Sequence, residues 1–142
     1  MPNDSLPRLT AFVGRSFLPE DESVWTEIRT VLDALRPLGF HFEDASQAQL
    51  RPISEKVRTG IDRNDVYVGI LTRRRPIGEP YSPFRALQQA FMKTRTEPAW
   101  TTSHWIVQES GYAIGKDKKV VFLVESGVDL PRSDLHADGE SR

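Results

Sequence analysis

The sequence predicts an α/β fold: a flavodoxin-like three-layer sandwich around a central parallel sheet of four to five strands. Three observations carry this reading. Short, mostly apolar runs at residues 9–13, 40–42, 66–71 and 120–124 have the length and composition of buried strands. Segments between them place apolar residues three and four apart, the period of a helix with one buried face. Strands alternating with helices require right-handed crossovers and a parallel sheet covered on both faces.

The first strand, LTAFV at 9–13, stops at Gly14. From Val24 the apolar positions are Val24, Trp25, Ile28, Val31, Leu32, Leu35 and Leu38, which predicts the first helix. Asp21, Glu22 and Ser23 supply its start, and Pro37 and Gly39 end it. Phe40 to Phe42 forms a second strand. Pro52 suits the first turn of a second helix with Ile53, Val57 and Ile61 on one side, weakened by Gly60. VYVGIL at 66–71, rich in branched and aromatic side chains, belongs at the sheet centre. Residues 73–102 are rich in Arg, Pro and Thr, with a helical pattern at Phe84, Leu87 and Phe91, and read as a long loop or insertion. Ser103 caps a further helix that carries Trp105, Ile106, Tyr112 and Ala113 and stops at Gly115. VVFLV at 120–124 is the fourth strand. The expected organisation is a disordered N-terminus over 1–8, a domain over 9–126, and a flexible tail over 127–142, a linker toward a further partner domain.

Composition narrows the function. The 142 residues are 38% hydrophobic and 27% charged, and 19 Lys and Arg stand against 20 Asp and Glu, so no global basic field favours nucleic acid. The chain has no cysteine, which excludes thiolate nucleophiles and cysteine-ligated metals and makes a reducing cytoplasm the simplest location. No signal pattern opens the chain and no apolar run reaches the roughly 20 residues that span a bilayer, so no membrane partner is expected. His41, His104 and His136 lie far apart with no metal-ligand spacing, and no metal is expected. GYAIGK at 111–116 lacks the spacing, the following hydroxyl residue and the preceding strand of a phosphate loop, and reads as a glycine-ended helix.

In doubly wound sheets ligands sit beyond the carboxyl ends of the strands, so the informative residues follow Val13, Phe42 and Leu71. Arg73, Arg74 and Arg75 stand there, either to meet a pyrophosphate or as a solvated loop. The sharpest signal is SHWIVQE at 103–109. Trp105 and Glu109, four apart, share one helix face. A carboxylate beside an aromatic platform suits glycosidic cleavage: the ring holds a flat base, and the anion stabilises or attacks an oxocarbenium-like carbon. The same pair also fits an ordinary surface pairing.

The order FVGRSF (12–17), LGFHFEDA (38–45), RNDVYVGILT (63–72), then Ser103, Trp105 and Glu109 resembles a Toll/interleukin-1 receptor (TIR) domain. That family carries a first strand of the form FISHS and an S-x-W-x-x-x-E motif, complete here. NDVYVGIL and ESGYAIGKDKKVVFLVE (109–125) are also similar to nucleoside 2-deoxyribosyltransferases and to bacterial TIR-like nucleotide-binding proteins, whose E-x-G-Y-A carries a nucleophilic Glu. Those transferases place an Asp six residues before the Glu, where this chain has Ser103.

Both resemblances imply N-glycosidic chemistry. They imply an NAD+ glycohydrolase releasing nicotinamide and ADP-ribose or a cyclic form, with NAD+ as substrate and no further cofactor. Glu109 is then the catalytic carboxylate, with Trp105 beside it. Gly14, Arg15, Ser16 and Phe17 form a loop over the ligand, Arg15 as phosphate contact and Phe17 as stacking surface. Asp65 orients a ribose hydroxyl or caps the turn before its strand. The TIR resemblance further implies self-association, with the loop at 44–52 completing a neighbour's site, and a role in bacterial immune signalling. The alternatives are a non-catalytic TIR-like adaptor, a nucleotide sensor, or a nucleoside deoxyribosyltransferase-like enzyme.

Overall fold

The computed structural model describes residues 6–46, 54–77 and 99–129. In chain order these form β1 (Leu9–Gly14), α1 (Glu22–Ala34), β2 (Phe40–Asp44), α2 (Glu55–Arg63), β3 (Val66–Leu71), α3 (His104–Gly115) and β4 (Lys119–Val124). The strands make one parallel sheet in the order β2-β1-β3-β4. This is the predicted α/β fold.

Strand alternation sorts the core into two layers. Ala11 and Val13 of β1 and Val66, Val68 and Ile70 of β3 pack on Trp25 and Leu32 of α1, joined by Ile28, Phe40 and Phe42. Phe12 and Tyr67 turn to the opposite face, against Val57 and Ile61 of α2 and Ala113 of α3. All six residues of β3 are buried, so it occupies the sheet centre as expected.

Gly60 has a packing reason. A methyl group there would run into the Phe12 ring, so glycine lets α2 settle on β1. The buried face of α1 is narrower than its sequence pattern: Val31 is 63% exposed and Leu38 67% exposed. Trp25, Ile28 and Leu32 form the stripe, and the helix ends at Ala34. A short 3-10 turn, Arg36–Leu38, follows and closes on Gly39, whose φ of 90° favours glycine. Pro7 packs against Gly39, and Leu9 N–H donates to the Gly39 carbonyl at 3.0 Å, so residues 6–8 adjoin the domain.

Residues 127–129, expected to begin a tail, pair with the chain before α3. Trp100 N–H donates to the Gly127 carbonyl at 2.8 Å, and Asp129 N–H donates to the Trp100 carbonyl at 2.9 Å. Trp100 also bridges to Pro76, so both ends of the long connection are fixed at the carboxyl rim of the sheet. Residues 1–5 and 130–142, the loop at 47–53 with Pro52 and Ile53, and the helical pattern at Phe84, Leu87 and Phe91 lie outside the described residues. Among the described residues no helix is long and apolar enough to cross a membrane.

Candidate active site

The sheet order puts the change in winding direction between β1 and β3, where Gly14, the last residue of β1, pairs with Gly69. A crevice at that point is where doubly wound folds bind ligands. α3 lies over it because Gly69 has no side chain: a methyl there would come within 3.2 Å of Ile106 Cγ2.

Glu109, on the second turn of α3, is half-buried and reaches back over the end of β1. Tyr67 runs along the same face from β3, wholly shielded from solvent, and its Oη donates to Glu109 Oε2 at 2.9 Å. Gly14 lies beneath this bond. A Cβ on it would stand 2.7 Å from Glu109 Oε2 and 2.8 Å from Tyr67 Cζ, and closer still to the hydroxyl oxygen. Three elements thus meet at one carboxylate, and glycine provides the room.

Burial pushes the Glu109 carboxyl above the usual carboxylate range, partly offset by the Tyr67 hydrogen bond. Burial first, and then the neighbouring anion, push the Tyr67 phenol well above its ordinary value, so it stays a proton donor at neutral pH. Tyr67 Oη also lies 3.4 Å from the Ile106 carbonyl. A single hydroxyl proton therefore serves Glu109 when the carboxylate is charged. It can turn to Ile106 when Glu109 is protonated and donates in its turn. Among the described residues Glu109 Oε1 has no hydrogen-bond partner.

Of the residues expected at the site, Gly14 and Glu109 are brought together. Trp105 stands one turn before Glu109 on α3 and is 41% exposed, its indole open to solvent. Arg15 takes the other face of the sheet, as strand alternation requires of the residue after Gly14. Its Nε donates to Asp44 Oδ2 at 2.7 Å and its Nη1 to the Ser16 carbonyl at 3.2 Å. The guanidinium lies between Phe17, 4.0 Å from the ring centre, and Trp25, at 4.5 Å. It pins the ends of β1 and β2 to α1, with its charge already matched by Asp44 and, at 3.8 Å, by Glu22. Ser16 Oγ accepts from Leu18 N–H at 3.1 Å, shaping the turn, and Phe17 stays exposed over Arg15.

Asp65 lies at the amino end of β3, opposite the rim that carries Glu109. Its Oδ2 accepts from Thr10 N–H at 3.0 Å and Thr10 Oγ1 at 2.9 Å, which holds its carboxyl below the usual range. These bonds tie the amino ends of β1 and β3 together and do not cap the turn before β3. Arg73 N–H donates to Glu125 Oε2 at 2.8 Å and its Nε to the Ser126 carbonyl at 2.6 Å. Arg74 Nη1 sits 2.8 Å from Asp21 Oδ2, an ion contact whose angle is outside that of a hydrogen bond. Both arginines are tied to the chain's own acceptors.

No protein-family model matches the chain, and no curated protein does. Among solved structures, a CMP N-glycosidase from Clostridium botulinum is similar, at 15% identity and a TM-score of 0.46, over 81% of this chain and 71% of that one.

Tyr67 is a further site residue, one that the sequence presents only as another aromatic of an apolar strand. A signal was present: a tyrosine in a central strand carries a hydroxyl that needs a partner once buried. Gly14 at the adjoining strand end left the space for one.

Proposed function

We propose that this chain cleaves the N-glycosidic bond of a nucleotide, with Glu109 as the carboxylate that meets C1′ of the ribose and NAD+ as the leading substrate. The observation that carries the reading is the Tyr67–Glu109 bond above Gly14, at the rim where doubly wound sheets bind ligands. Tyr67 holds one carboxylate oxygen and leaves Oε1 to approach the substrate.

In the reaction the C1′–N bond breaks and its electron pair leaves with the base. Oε1 either bonds to C1′ or faces the oxocarbenium ion, and water then adds at C1′ and gives up a proton. A base that already carries positive charge, as nicotinamide does in NAD+, leaves neutral and needs no proton. One carboxylate suffices for that leaving group, which supports NAD+ alongside the resemblance to TIR domains. In this reading Trp105, one turn away, offers its indole to the base. Arg15 holds the loop in place instead of binding phosphate. Asp65 serves the sheet and stays outside the reaction.

The test is incubation of concentrated protein with NAD+, a pyrimidine nucleotide and a deoxynucleoside in parallel, with chromatography for free base. Nicotinamide from NAD+, lost in Glu109→Gln, is the expected result. Base release from the other substrates alone moves the reading to another nucleotide. Binding with no release from any of them leaves a nucleotide sensor and removes the catalytic assignment.

A further inference from the structure

β4 ends the sheet, and among the described residues no strand pairs with its outer edge. Natural edge strands are blunted by interior lysine, proline or a bulge, and KVVFLV has none of these between Lys119 and Glu125. Its side chains are apolar and open on both faces: Val121 is 47% exposed, Leu123 37% and Val124 42%. On α3, Val107 and Ile114 share a stripe and are exposed as well. Tyr112 bonds Asp62 of α2 from the opposite flank, so this stripe overhangs the β4 side.

We propose that β4 pairs antiparallel with β4 of a second copy of this chain about a twofold axis through Phe122, making one continuous sheet across the pair. Backbone direction sets which groups are available. Glu125 N–H donates to the Leu71 carbonyl, so Lys119, Val121, Leu123 and Glu125 turn their backbone groups toward β3. Val120, Phe122 and Val124 turn theirs outward. Centring on Phe122 places Phe122 opposite Phe122 and Val120 opposite Val124 as hydrogen-bonded pairs, about six backbone bonds in all. The close, non-hydrogen-bonded pairs are then Val121 with Leu123 and Lys119 with Glu125, each occurring twice.

That register is chosen by charge. It alone sets Lys119 against the other copy's Glu125. A shift of two residues puts Lys119 opposite Leu123 or opposite Gly127 and leaves the Glu125 carboxylate with Arg73 of its own chain alone. It also covers the exposed Val121 and Leu123, which lie on the same face.

Sedimentation equilibrium of the full chain tests this, with far-ultraviolet circular dichroism to confirm that each variant folds. The wild type is expected as a dimer of the 16.1 kDa chain. Val121→Lys with Leu123→Lys sets lysines against each other at two exposed positions and is expected to be monomeric. Lys119→Glu, also exposed, is expected to weaken the dimer about tenfold, because two attractive pairs become repulsive. Lys119→Glu with Glu125→Lys is expected to recover part of that loss, because Glu125→Lys restores the cross-strand attraction and also removes the acceptor of Arg73 N–H. A wild type that stays monomeric to about 1 mM overturns the proposal, as does a dimer indifferent to the lysine pair. A dimer that Lys119→Glu leaves unchanged overturns the register.

Discussion

Gly14→Ala is the most informative single perturbation of the site, because the atoms nearest the added methyl are those of Tyr67 and Glu109. The methyl would lie 2.7 Å from Glu109 Oε2 and 2.8 Å from Tyr67 Cζ, where ordinary contact with carbon needs about 3.5–4.0 Å. Tyr67 has no room to retreat, being fully buried between the sheet and α3. The overpacking costs about 1–3 kcal/mol. Displacing the hydroxyl from the carboxylate costs about 1.5–3 kcal/mol more. The loss of glycine freedom in the unfolded chain returns about 0.4–1 kcal/mol. A net loss of about 1.5–5.5 kcal/mol is expected by urea denaturation, a large share of the roughly 5–15 kcal/mol that holds a typical domain. A double-mutant cycle with Tyr67→Phe locates the cause. Removing the hydroxyl takes away the closest atom, so the cost of Gly14→Ala should fall by about 1–3 kcal/mol in that background. A Gly14→Ala protein within about 0.5 kcal/mol of wild type, or strict additivity with Tyr67→Phe, refutes the packed triad.

Glu109→Gln tests the electrostatics of the same group. Burial raises the folded-state value of Glu109 above 4.5, so the folded protein binds that proton more tightly than the unfolded chain. The site therefore adds stability below the unfolded value and loses it as pH rises through the folded one. Glu109→Gln should be more stable than wild type at pH 7, the gap closing toward pH 4.5, in urea melts at the two pH values. Tyr67→Phe removes the donor that holds the Glu109 value down, so the acid limb of the rate profile should move to higher pH. Arg15→Gln leaves Asp44 half-paired in a shielded spot and should cost about 2–4 kcal/mol in denaturant titration. Asp65→Asn should lower the melting temperature and leave the rate per folded molecule unchanged. Its depressed value means that its contribution is present above pH 3.8 and is lost as pH falls through the folded value.

The sheet was legible because its strands are apolar runs bounded by glycine and polar residues. β3 matches its sequence reading to the residue, and β1, β2 and β4 differ by one or two. α3 was legible from Ser103 and Gly115, although the Ser103 side chain makes no cap hydrogen bond. The site was only half legible, and the reason is parity. Gly14 and Arg15 are neighbours in sequence, yet a strand sends them to opposite faces, so only one can adjoin Glu109. Asp65 and Glu109 flank one strand and one helix in order, but direction along the sheet separates them by its length. The α1 pattern overstated its buried face because Val31 falls off the Trp25, Ile28 and Leu32 stripe and a 3-10 turn takes over before Leu38. The pairing of Gly127 and Asp129 with Trp100 leaves no apolar period, since backbone groups make it.

Whether the Glu109 anion breaks the glycosidic bond is read from nucleotide turnover by Glu109→Gln. Glutamine keeps the volume and can still accept from Tyr67, while the anion is gone. Release of free base at least about 10³-fold slower than wild type, by a variant that folds as well or better, is the predicted result. Release at the wild-type rate would remove Glu109 from the reaction.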